Sequence, residues 1–145
     1  MIHAQNDKVV SALPAGVTGS SETATLVIDT AGYDHASVSV MRAANAATTF
    51  ASVLKVEESD NNSDYSNVTA LVGGGTGGFT IPAVSATGSV SVVKLDIDTK
   101  AKKRYLKVSM TPSTAVNVAM CARLSRAEVA PATAAEAGCI GLVKG

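Results

Sequence analysis

Apolar residues recur at every second position along most of this chain, a period that suits half-buried strands and not amphipathic helices. Over 22–29, Ala24, Leu26 and Ile28 share one side while Thr23, Thr25 and Asp29 share the other. Over 35–42, Ala36, Val38 and Val40 oppose Ser37 and Ser39. Residues 50–58 align Phe50, Leu54 and Val56 against Lys55 and Glu57. Residues 105–110 set Leu106, Val108 and Met110 against Tyr105, Lys107 and Ser109. In 116–124, Val116, Val118, Met120, Ala122 and Leu124 oppose Asn117 and Arg123. Each run reads as a strand with one face in a core.

The run 89–97 changes parity. Val90 and Val92 share one side, then Val93, Leu95 and Ile97 take the other, which predicts a β-bulge near Val92. Weaker runs at 65–72 and 79–81 bring the count to eight, and Pro82 suits a strand end. Turn formers at Ala31-Gly32-Tyr33-Asp34, Asp60-Asn61-Asn62-Ser63-Asp64 and Pro112-Ser113 separate the runs. Short strands at this spacing, without helical segments between them, predict an all-β, antiparallel sandwich of jelly-roll type. Three regions follow. Residues 1–21 are polar and read as an extended N-terminal arm, 22–126 as the sandwich domain, and 127–145 as an Ala-rich tail. Thr133-x-x-Glu136 has capping-box spacing, so the tail is expected to hold about one helical turn, ended by Gly138 and needing a partner surface.

A chain of 145 residues fits one domain, large enough to fold without metal or disulfide. Hydrophobic residues are 46% of it but aromatics only 3%, with no Trp, so the core must come from Val, Leu, Ile, Ala and Met. The same scarcity disfavours a glycan-binding face of stacked rings. Formal charge is zero, so no global positive field draws the chain to nucleic acid. No run approaches 18 apolar residues, and Met1–Lys8 lacks the apolar stretch of a secretory signal. Two cysteines, Cys121 and Cys139, make no disulfide framework, so assembly in a reducing cytosol is expected.

Catalytic and metal signatures are sparse. Asp60-x-Asn62-x-Asp64 begins like a calcium loop, but the sixth position is Tyr65 and the twelfth Leu71, so an Asx-rich hairpin tip is the better reading. The Gly73–Gly78 run lacks the Lys-Ser/Thr of a phosphate-binding loop and reads as a flexible connection. His35 is the one plausible general base, yet no Gly-x-Ser-x-Gly elbow presents a nucleophile to it. No catalytic residue, metal or cofactor is expected. Lys100, Lys102, Lys103, Arg104 and Lys107 form a basic run without an intervening acid. Three readings stand for it: a nucleic-acid contact, a solvated hairpin that guards an edge strand, or a match for an acidic surface on another subunit, such as Glu57, Glu58, Asp60 and Asp64.

Three segments in order carry a resemblance: Ala31-Gly32-Tyr33-Asp34, then Leu54-Lys55-Val56-Glu57-Glu58-Ser59-Asp60, then Lys103-Arg104-Tyr105-Leu106-Lys107-Val108. Over about residues 22–125 the chain resembles small bacteriophage virion proteins, the capsid decoration or cement proteins. The resemblance implies a jelly-roll-like sandwich on the outside of a phage head, often a homotrimer, bound to the major capsid protein after synthesis in the host cytoplasm. The arm and the long tail depart from the simplest members. Another head or tail component, a virion module that binds a host-surface receptor or glycan, and a small hydrolase using His35 therefore stay as alternatives.

Overall fold

The computed structural model describes residues 6–14, 16, 18–84 and 89–143. In it the alternating runs become eight strands: β1 (Lys8–Ala12), β2 (Ala24–Asp29), β3 (Tyr33–Arg42), β4 (Val53–Ser59), β5 (Ser66–Val72), β6 (Ser91–Asp98), β7 (Tyr105–Thr111) and β8 (Val118–Ala127). Their pairing has a simple logic. Antiparallel partners are β1 with β8, β2 with β7, β3 with β6 and β4 with β5, the pairs of one long hairpin bent between β4 and β5. Rolling that hairpin brings β8 beside β3 and β7 beside β4. Two four-stranded sheets result, ordered β1-β8-β3-β6 and β2-β7-β4-β5. Eight strands in two sheets joined this way make a jelly roll.

The parity of each run decides what the two sheets enclose. Leu26 and Ile28 of β2, Ala36, Val38 and Val40 of β3, Leu54 and Val56 of β4, Leu106, Val108 and Met110 of β7, and Met120, Ala122 and Leu124 of β8 are all 2% exposed or less. Fully burying one such side chain contributes about 1.5–3 kcal/mol, so this inner layer dominates stability. Phe50 is the one aromatic in it, and Met110 and Met120 supply the adaptable bulk that rings would otherwise provide.

Four expectations need correction. First, residues 1–21 are not wholly an arm. Lys8–Ala12 pairs residue for residue with β8 from Lys8↔Leu124 to Ala12↔Met120, and Val10 and Ala12 pack on the core. Five residues with few bulky apolar groups suffice there because β1 is an edge strand covering only the rim. Second, no bulge interrupts β6, since its register with β3 runs unbroken from His35↔Asp98 to Arg42↔Ser91. Val92 simply faces outward at 56% exposure, and Val90 before it is 71% exposed. The register shift lies instead between β4 and β5, between Lys55 and Glu57. Third, residues 79–81 form no strand; Phe79 makes a single bridge to Gly73, while Phe79 and Ile81 still pack on the core. Fourth, the glycine run is closed on itself. Gly74 N–H donates to the Phe79 carbonyl at 2.8 Å, and a Cβ on Gly78 would fall 1.9 Å from the Val72 oxygen.

The capping box forms as its spacing requires. Thr133 Oγ1 accepts from Glu136 N–H at 3.2 Å, and the Glu136 carboxylate accepts from Thr133 N–H at 3.2 Å and Ala132 N–H at 2.8 Å. The surface that holds this turn is β1. Val9 N–H donates to the Ala137 carbonyl at 2.9 Å, and Ala137 is 4% exposed. Gly138 follows at φ 73°, so close to β1 that a Cβ would meet the Val9 oxygen at 1.9 Å.

Candidate functional site

The basic run and the acidic group come together, but within one chain. Register places Glu57 opposite Lys107 and Ser59 opposite Tyr105, so β4 carries the acids past the bases of β7. Lys107 Nζ stands 3.0 Å from Glu57, and Lys103 Nζ 3.1 Å from Asp60. Glu58 accepts from the Lys103 backbone N–H at 3.1 Å. Arg104 grips Asp29 with two bonds, Nε to Oδ1 at 2.9 Å and Nη2 to Oδ2 at 2.7 Å, and Lys100 pairs with Asp34 at 3.0 Å. Asp64 accepts from Asn61 Nδ2 at 2.7 Å, inside a hairpin tip that Asn61 organises. Lys102 Nζ reaches only the Ala101 carbonyl, at 3.4 Å.

These contacts neutralise the run locally. The Arg104 side chain holds Asp29 below the usual carboxylate range, and Asp29 in turn raises Arg104. Burial pushes Glu57 up, but hydrogen bonds from Lys55 and Lys107 outweigh it and leave the carboxyl below its ordinary value. Solvent and salt screen the exposed members of this set, Lys100–Asp34, Lys103–Asp60 and Arg104–Asp29, so each adds little stability by itself. Their arrangement fastens the connections at one end of the sandwich. The run is not a hairpin that guards an edge, because β6 and β7 lie in different sheets and β7 is paired on both sides, with β2 and with β4.

A second polar group lies on the outer face of the β1-β8-β3-β6 sheet. Ser37 sits between Arg123 of β8 and Asp96 of β6, while His35 pairs with Ser125 and Asp98 in the neighbouring row. Arg123 binds Asp7, and Lys94 Nζ stands 2.9 Å from Asp96. Ser125 Oγ is 3.3 Å from His35 Nδ1, and His35 Nε2 is 4.0 Å from Asp96. Serine, histidine and aspartate are thus in line, but the acid is half exposed and already held by Lys94 and Ser37. The array orders an open polar surface on which His35 and Ser125 share a hydrogen bond. Sequence reading misses this group because its members come from three strands; outward parity was the available signal, and only register brings them into rows.

Among the described residues no group of three or more His, Cys, Asp or Glu stands close enough to hold a metal ion, and no helix is long and apolar enough to cross a membrane. Cys121 lies on the outer face between Ser11 and Ser39, and Cys139 Sγ contacts the Ala134 carbonyl at 3.4 Å; both are free thiols. Arg42 was not anticipated at all. It ends the buried parity of β3 at 1% exposure and donates to Thr49 O at 2.7 Å, Phe50 O at 3.2 Å, Asn45 Oδ1 at 2.6 Å and Ala47 O at 3.0 Å.

No protein-family model matches this chain. No curated protein matches it either. Among solved structures, a chain from Bacillus endospore appendages, described as a novel family of disulfide-linked pili, is similar over 82% of this chain and 89% of its own, at 14% identity and a TM-score of 0.33. A superposition that loose carries no functional information.

Proposed function

We propose that this chain is a non-enzymatic capsid decoration protein that binds the outer surface of an assembled phage shell and stabilises it. The observation that supports this best is that the three segments carrying the resemblance are one structural unit. Asp34 of the first pairs with Lys100, and the Tyr33 carbonyl accepts from Thr99 Oγ1 at 2.6 Å, beside the third segment. Glu57, Glu58 and Asp60 of the second meet Lys107 and Lys103 of the third. Segments far apart in sequence therefore hold one end of a jelly roll together, which gives their order a packing reason. With those charges engaged internally, contact with the major capsid protein falls to the outer sheet faces and strand edges. A homotrimer at a point where capsomers meet would add avidity, since one bound subunit raises the effective concentration of the next.

Electron microscopy of particles from cells that make the chain tests the reading. The expected result is density fitting the eight-stranded sandwich on the exterior of the head, in copies that follow shell symmetry. Density confined to the tail, or particles lacking the chain, would overturn it.

A further inference from the structure

We propose that the outer face of the β1-β8-β3-β6 sheet carries an oxyanion-binding site, with Arg126 as its uncommitted cation. A recess of about 460 Å³ opens there, lined by residues of β3, β6 and β8 and by the segment before β1. Its charges do not cancel. Asp7 is taken by Arg123 and Asp96 by Lys94, so each acid in the recess already has its base. Arg126 remains, and it makes no ion pair among the described residues. Ser125 Oγ and the His35 ring stand beside it on the same surface and offer further hydrogen-bonding groups.

The backbone supports this placement. Even-numbered side chains of β8 from Val118 to Leu124 are buried, and Arg126 continues that series by parity. Its φ is 57°, a left-handed conformation that an arginine rarely adopts. The ladder with β3 steps over it, from His35↔Ser125 to Tyr33↔Ala127. The outcome is an exposed side chain that lines the outer recess together with Arg123 and Ser125. Strain of this kind persists where surrounding structure over-determines it, and it is found at ligand clamps. A guanidinium fork matches a carboxylate, sulfate or phosphate with two parallel bonds, so an oxyanion is the chemistry this recess suits. The inference is independent of shell binding, because it concerns the free chain and a small anion.

The test is a nitrogen-15 NMR titration of the full chain with acetate, sulfate and phosphate, each against chloride at matched ionic strength. Saturating shifts at the amides of Ser37, Ser125 and Arg126 are expected for at least one anion. A preference for acetate would point to a carboxylate-bearing partner, and one for sulfate or phosphate to a partner bearing those groups. Arg126→Gly keeps the left-handed backbone while removing the cation, and should weaken the interaction at least about tenfold. Arg126→Asn, which also tolerates this φ, serves if the glycine variant unfolds. Lys102→Ala, remote from the recess, should bind as the unaltered chain does. Linear, unsaturated shifts for all three anions, or unchanged affinity in both Arg126 variants, would overturn the proposal.

Discussion

Lys107 and Glu57 face one another directly across β7 and β4, with 3.0 Å between ammonium and carboxylate. The same ammonium lies 4.2 Å above the centre of the Tyr65 ring, and Lys55 approaches Glu57 from the other side at 3.0 Å. Alternation alone places Lys107 on a solvent face where a charge reversal is harmless. The structure makes it a partner to a largely covered acid.

Lys107→Asp should therefore be destabilising, by about 2 kcal/mol, because it removes a charge-assisted bond and sets two carboxylates opposite each other. The double variant Lys107→Asp with Glu57→Lys should regain a good part of that loss. Urea unfolding of the two variants checks both statements; a neutral single variant would show the pair to be ornamental.

Acid sensitivity follows from the same residues. Asp29 and Glu57 both sit below their ordinary values of 3.8 and 4.5, so their deprotonated forms favour the folded state. That stability is fully present above the ordinary values. It is lost as pH falls through them toward the lower folded values. Unfolding free energy should accordingly be flat near neutrality and decline below about pH 4.5. Replacing Lys55 and Lys107 with Met should flatten part of the decline, which a pH series of melting curves would reveal.

Arg42 is the most consequential buried polar group. Its guanidinium satisfies three backbone carbonyls and the Asn45 side chain in the segment before β4. Arg42→Met keeps the volume but orphans those acceptors, each costing about 1–3 kcal/mol where water cannot enter. A loss of about 3 kcal/mol or more is expected. Arg42→Lys should recover little, because one ammonium cannot span four acceptors arranged around a planar fork. Loss of under 1 kcal/mol in Arg42→Met would mean that the segment 43–50 rearranges freely.

What was legible in the sequence is what parity governs. Every inward position in 24–28, 36–40, 106–110 and 116–124 is buried as alternation requires, because one sheet face is the core and a slip would expose it. Val92 misled because an outward valine on an edge strand looks like a phase change. Arg42 was hidden because its parity was apolar and its chemistry polar; the acceptors come from an irregular segment with no periodic signal. Pairing of Glu57 with Lys107 and the rows around Ser37 depend on register between distant strands, which no local pattern specifies.

The last prediction concerns the N-terminal segment. Polarity suggests an arm whose removal leaves the domain intact, but β1 covers β8 along five register pairs and packs Val10 and Ala12 on the core. Thr18, 4% exposed, exchanges two backbone bonds with Val116 at 3.0 Å, so the segment is fixed at a second point. The turn at Thr133–Gly138 rests on β1 through Val9 and loses its seat with it. Deleting residues 1–21 would strip this cover and leave the β8 edge open to other chains. Partial burial of Val10 and Ala12 and the backbone bonds of Thr18 are together worth about 3 kcal/mol, so melting should fall by roughly 10 °C and aggregation should rise. Gly138→Ala should act more narrowly. It adds a Cβ at a left-handed position against the Val9 oxygen, so the tail turn undocks while β1 stays paired. Proteolysis should then release the tail with a melting shift of only a few degrees. A truncation that melts like the full chain would show β1 to be dispensable.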